Sequence, residues 1–186
     1  MKRGILLFMT LFLLIVFSGC SPFDYENDYK GKIIDADTGK PIEGVVVLGI
    51  WFKSYISPAG SSEKFYDARE VVTDNNGEFS VPGMGLLIFS NIVEPMDVLI
   101  FKAGYEYLGV WSWRPFVENS IPNKNIKWKD NMAIIPLKKL TMKERKKIGD
   151  PHPSLPGRIP DAKIKLMLKE INKDRRERGL QTYPER

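Results

Sequence analysis

The 186-residue chain predicts an all-β sandwich of about seven short strands with a helical tail at its C-terminus. Three observations carry this. Short runs rich in β-branched and aromatic residues recur through the body of the chain, and clusters of Gly, Pro, Asn and Asp separate them. Beyond residue 140 the apolar residues recur at helical spacing. The charge also changes sign. Cys20 to Leu137 holds 11 Lys and Arg against 16 Asp and Glu, a net of −5, whereas Lys138 to Arg186 holds 15 against 7, a net of +8. These boundaries divide the chain into a leader (1–19), a tether (20–29), the sandwich (30–140) and a basic helical tail (141–186).

The leader begins with Met1-Lys2-Arg3, and Gly4 to Phe17 is almost wholly apolar. That run is shorter than the ~20 residues of a membrane span and matches the apolar region of a secretory signal. Ser18 and Gly19 follow, then Cys20, the single cysteine of the chain. Val16-Phe17-Ser18-Gly19-Cys20 resembles the lipobox of bacterial lipoproteins, with Phe17 standing where that family has Leu, Ala or Val. The resemblance implies cleavage before Cys20 and acylation of its thiol. Several acyl chains on one residue anchor a protein stably, at about 0.8 kcal/mol per buried methylene. It also accounts for the cysteine content, because a lone free thiol in an oxidising envelope invites intermolecular pairing. Ser21 stands where Asp marks inner-membrane retention in many such lipoproteins, which implies the outer membrane, facing the periplasm. Pro22 to Lys30 is polar and turn-rich and reads as a tether.

The predicted strands are Lys32–Asp35, Gly44–Phe52, Tyr66–Thr73, Glu78–Val81, Asp97–Phe101, Tyr107–Val110 and Met132–Ile135. Between them lie Asp37-Thr38-Gly39, Asp74-Asn75-Asn76-Gly77, Pro82-Gly83, Ala103-Gly104 and Pro122-Asn123. Such residues supply positive φ or side-chain-capped turns. The candidate core is Ile33, Val45, Val47, Phe79, Leu99 and Phe101.

The order of this punctuation resembles the carboxypeptidase regulatory-like domains. Gly31 to Val47, with its Asp37-Thr38-Gly39-Lys40-Pro41 turn and Gly44, is similar to their opening. Thr73-Asp74-Asn75-Asn76-Gly77-Glu78-Phe79 is similar to their central T-D-x-x-G-x-F turn, and Phe101-Lys102-Ala103-Gly104-Tyr105 to their late A-G-Y turn. The resemblance spans roughly residues 30–140 and implies a transthyretin-like Greek-key β-sandwich, a non-catalytic module that accompanies another domain or a surface assembly. Two stretches exceed the family pattern: Trp51 to Lys64 and Gly83 to Pro95. Both read as added loops able to bind something.

No catalytic constellation is legible. His152, the single histidine, lies in Asp150-Pro151-His152-Pro153, a stiff segment with no nucleophile and carboxylate to complete a triad. One histidine and one acylated cysteine do not make a zinc site. Asp35-x-Asp37-x-Gly39 and Asp74-x-Asn76-Gly77 have alternating oxygens, the spacing of calcium loops, but lack a full ligand set, so they read as turns. No metal and no cofactor are expected. The candidate ligand-binding residues are Tyr107, Trp111 and Trp113; Trp111 and Trp113 fall two apart and share one face of a strand. A flat aromatic pair can stack on sugar rings, or it can pack within the protein.

In the tail, Thr141 and Glu144 have the spacing of a capping box for a short helix ending at Gly149. A proline-rich connector follows to Pro160, then a second helix closed by Gly179. Ile164, Met167, Leu168 and Ile171 form one apolar stripe, with Lys163, Lys165, Lys169 and Lys173 on other faces. The stripe fits either the protein's own acidic sandwich or a partner or anionic membrane met by Ile164, Met167, Leu168, Ile171, Lys165 and Lys169. Nucleic acid is not expected for an exported lipoprotein, despite a pI near 9.2. The resulting expectation is a lipid-anchored, non-enzymatic envelope module that docks another envelope protein. The alternative is a glycan- or cell-wall-binding sandwich using the aromatic platform.

Overall fold

The computed structural model describes residues 23–57, 60–88, 93–110, 126–148 and 159–184. Its strands are β1 (Phe23–Glu26), β2 (Tyr29–Asp35), β3 (Val46–Ser57), β4 (Gly60–Val72), β5 (Glu78–Val81), β6 (Gly85–Ile88), β7 (Asp97–Phe101), β8 (Leu108–Val110), β9 (Lys127–Lys129) and β10 (Met132–Leu137). Two helices follow, α1 (Met142–Ile148) and α2 (Lys165–Glu177), the second preceded by a 3₁₀ turn at Asp161–Lys163. Each of the seven predicted runs is a strand, and three short strands join them.

The strands form two four-stranded sheets, ordered β5-β2-β10-β9 and β4-β3-β7-β8, and a separate β1-β6 pair. Among the described residues, only β2 and β10 pair in parallel. The arrangement is mostly β and sandwich-like. Ile33, Phe79, Ala133, Ile135 and Leu137 of the first sheet meet Val45, Val47, Trp51, Val98 and Ile100 from the second-sheet side in one buried cluster. Strand side chains alternate between faces, so the remaining apolar residues of the second sheet point the other way. Val46, Leu48, Ile50 and Phe52 of β3, Ala68 of β4, and Leu99 and Phe101 of β7 form a second cluster on its outer face. Leu99 and Phe101, expected between the sheets, belong there: with Val98 and Ile100 turned inward, the pleat turns them outward.

Helix α2 covers that outer face. Ile159, Ile164, Met167 and Ile171 are buried in the second cluster and Leu168 packs at its edge. The stripe expected to meet either its own sandwich or a partner or membrane is thus enclosed by its own sheet, with Met167 at 0% exposure; Lys165 and Lys169 remain exposed. Among the described residues, the two four-stranded sheets and α2 stack as three layers: sheet, sheet, helix.

A β-bulge between Trp51 and Phe52 adjusts the β3–β4 pairing. Trp51 pairs with Asp67 and Phe52 with Phe65, leaving Tyr66 as the extra residue. Phe65 and Ala68 are three apart, yet both reach the outer cluster; the bulge restores the face. The β9–β10 turn places Asp130 and Asn131 at φ 48° and 61°, as a two-residue hairpin turn demands.

Three sequence expectations change. The segment read as a tether holds β1, paired with β6 from Phe23↔Ile88 to Glu26↔Gly85. Trp51 to Lys64 is no loop: β3 and β4 run on through it as a paired arm down to Ser57↔Gly60, beyond Ile50, where β7 pairing ends. Gly83 to Pro95 contains β6. Apolar alternation in each is too short, or too interrupted by Asp, Glu, Lys and Gly, to signal a strand without its partner.

Met167→Ala is expected to lower the unfolding free energy by about 2–5 kcal/mol, the cost of a core cavity, whereas Lys169→Ala changes it by less than about 0.5 kcal/mol. Urea titration checks both; a neutral Met167→Ala contradicts the docked helix.

Candidate functional site

Three of the turns singled out in the sequence, at Asp37–Gly39, Asp74–Gly77 and Ala103–Gly104, gather at one end of the sandwich, where the Asp35, Thr73 and Asp74 side chains bond the backbone. Asp35 accepts hydrogen bonds on Oδ1 from the Thr38 N–H at 2.8 Å, the Thr38 hydroxyl at 2.9 Å and the Asp37 N–H at 3.2 Å. These donors, Thr38 first, hold its carboxyl below the usual carboxylate range. Asp74 Oδ1 accepts from the Asn76 and Glu78 N–H groups at 2.9 and 2.8 Å. The buried Thr73 hydroxyl donates to the Ile42 carbonyl at 2.7 Å and accepts from the Val45 N–H at 2.9 Å. Gly77 sits at φ +73°, and a Cβ there would lie 2.4 Å from the Ile33 carbonyl oxygen. The Asp35 and Asp74 oxygens thus serve the backbone. Among the described residues, no group of three or more His, Cys, Asp or Glu side chains converges as a metal site.

The late turn links to the first. Tyr105 has its hydroxyl pKa raised by burial and then by the nearby Asp35 carboxylate, to which it is hydrogen-bonded. Beyond Tyr105 the chain folds against α1, whose capping box forms as the sequence predicts. The Thr141 N–H donates to Glu144 Oε2 at 2.8 Å, and the Glu144 N–H to Thr141 Oγ1 at 3.3 Å. Lys138, then these Thr141 donors, push the Glu144 carboxyl down to about 2.

Helices α1 and α2 meet through a buried ionic cluster. Arg145 of α1 pairs with Asp174 of α2 and reaches Glu177 Oε2 at 2.9 Å. Asp174 Oδ2 lies 2.7 Å from Arg178 Nε. Asp174 also accepts from the Gly104 N–H at 3.4 Å, and Glu170 from the Ala103 N–H at 3.0 Å. Asp174 is therefore held between two arginines while it ties the tail to the turn after β7. The other end of α2 is fixed by β4. No side chain of its own caps this helix. Glu70 of β4 instead accepts from the Leu166 and Met167 N–H groups at 2.9 and 2.7 Å, satisfying donors that a helix start leaves open. Burial pushes the Glu70 carboxyl up against the pull of these donors. Lys163 pairs with Asp67 beside it at 2.7 Å. Opposite charges of body and tail meet here at close range.

A groove of about 200 Å³ opens between this cluster and the sandwich, lined by Tyr105, Tyr107, Leu140, Arg145, Ile148 and Asp174. Tyr107 and Ile148 are 46% and 51% exposed on its rim. Tyr107 is the one candidate ligand residue that the structure describes; Trp111, Trp113, His152 and the lipidation candidate Cys20 lie outside the described residues. The Arg145 and Asp174 charges are paired within the protein, and the groove's surface is mixed, with Tyr107 and Ile148 beside Glu106. Among the described residues no helix is long and apolar enough to cross a membrane. No protein-family model, curated protein or solved structure matches the chain, so the site is read from its own geometry.

The sequence showed Tyr107 and the tail stripe but not Glu70, Asp174 or Ile148. Glu70 meets the start of α2, 97 residues further on, and Asp174 meets Arg145, 29 residues back; no local pattern announces either contact. Asp174→Ala is expected to lower the unfolding free energy by about 3–5 kcal/mol, because two arginines lose their buried counter-ion. Glu177→Ala, whose carboxylate is exposed, costs less than about 1 kcal/mol. Equal losses in denaturant titrations contradict this reading of the cluster.

Proposed function

We propose that the chain is a lipid-anchored, non-enzymatic module of the cell envelope that docks another envelope protein through the groove beside Tyr107. In this reading Cys20 carries the acyl chains, and the body is a transthyretin-like Greek-key sandwich of the carboxypeptidase regulatory-like kind. The three turns quoted from the sequence support the family part, since Asp35, Thr73, Asp74, Gly77 and Tyr105 each have a defined role in holding one end of the sandwich together. The outer membrane is the site implied by Ser21.

The observation that carries the docking reading is the groove itself. At about 200 Å³ it is smaller than the ~300–1,000 Å³ of small-molecule pockets. It suits one or two side chains of a protein partner. Tyr and Arg are also the residues that dominate protein–protein hot spots. The tail stripe is enclosed, so docking falls to the groove and its exposed rim rather than to the tail's apolar face.

A photo-reactive side chain placed at Tyr107 is expected to give one discrete adduct with an envelope protein in intact cells, while the same group at Lys169 gives none. Adducts at neither position contradict protein docking. Tryptophan emission that then changes with cell-wall fragments favours the glycan-binding alternative through Trp111 and Trp113.

A further inference from the structure

We propose that the end of the sandwich bearing the β1–β6 ribbon and the β3–β4 arm lies flat against the bilayer, with Tyr25, Leu86 and Tyr55 seated at the lipid headgroups. This rests on the reading of Cys20 as the lipidated residue.

The length of chain decides the matter. Only Ser21 and Pro22 separate Cys20 from Phe23, the first residue of β1. Three residue steps at no more than ~3.6 Å each reach about 11 Å. A domain of this size has a radius of gyration of about 15 Å. The link is therefore shorter than the body it holds, and the anchored end has no room to turn away from the bilayer.

Strand β1 is itself fixed to the sandwich. Glu26 accepts from both the Trp51 indole N–H, at 2.9 and 3.0 Å, and the Met84 N–H at 2.9 Å, and bonds the Tyr29 hydroxyl. Trp51 is fully buried, with Tyr29 6.3 Å from it and the Arg69 guanidinium 5.3 Å from its ring. A short link joined to a fixed strand transmits orientation to the whole domain.

The residues presented at that end are those an interface favours. Tyr25 and Leu86 stand directly opposite each other in the β1–β6 register, on one face, and are 65% and 62% exposed. The neighbouring arm exposes Tyr55 and Tyr66, with Lys64 5.1 Å and Lys53 3.9 Å from their respective rings. Tyrosine sits at headgroup level with its ring toward the acyl chains, and lysine extends its ammonium toward water. The groove beside Tyr107 lies at the opposite end, where β7 finishes and α1 starts, and is turned away from the bilayer.

The test uses the full chain expressed with its leader and recovered in vesicles of phosphatidylethanolamine and phosphatidylglycerol. Mass spectrometry first reads the acyl mass on Cys20. Spin labels are then attached through Tyr25→Cys, Leu86→Cys, Tyr55→Cys and, at the far end, Lys143→Cys. Labels at 25, 86 and 55 are expected to relax more with oxygen, which concentrates in lipid, than with a water-soluble nickel chelate; the label at 143 is expected to show the reverse. An acylated protein with all four labels in water overturns the orientation and leaves the anchor standing. A chain without acyl mass overturns the anchor reading and the orientation with it.

Discussion

Everything in this molecule depends on α2 lying across the outer face of the sheet ordered β4-β3-β7-β8. That face carries Val46, Leu48, Ile50, Phe52, Leu99 and Phe101. Without the helix it is a wide apolar surface of the kind that drives association. Burying Ile164, Met167 and Ile171 contributes on the order of 5–9 kcal/mol at about 1.5–3 kcal/mol per side chain. Net domain stabilities are about 5–15 kcal/mol. A term of that size makes the tail part of the fold, not an appendage to it.

The docking is directional because polar groups fix both ends of the helix. Glu70 satisfies the opening N–H groups of α2 from a neighbouring strand, and Asp174 joins its last turns to Arg145 of α1 and to the backbone after β7. Gly179 ends the helix at φ +75°, where the Leu180 N–H donates to the Arg175 carbonyl at 2.8 Å. Apolar burial holds the helix on the sheet, and these contacts set its position along it. They also place Arg145 and Ile148 beside Tyr105 and Tyr107. The groove therefore exists only while the tail is docked.

Much of this was legible in the sequence. The seven strands announced themselves by β-branched runs between turn residues, and the capping box and the stripe of α2 by their spacing. The run from Val45 to Phe52 carried a further signal. It does not alternate between apolar and polar, as a strand with one wet face does. Continuous apolarity means two covered faces, and the tail stripe is the second cover. What stayed hidden depends on distant partners. Strand β1 acquires its conformation from β6 and from the Glu26–Trp51 bond, and Glu70 acquires its role from a helix about a hundred residues later. A polar residue in a short alternating run gives no local sign of such a role.

Hydrogen exchange on the intact protein tests the central claim most directly. If α2 completes the fold, the amides of Leu168 to Asp174 exchange as slowly as those of Val46 to Ile50 in β3, because both open only with the whole domain. If the α2 amides instead exchange orders of magnitude faster than the β3 amides, the helix leaves the sheet on its own. The tail is then a detachable element, and the account of the groove built upon it fails.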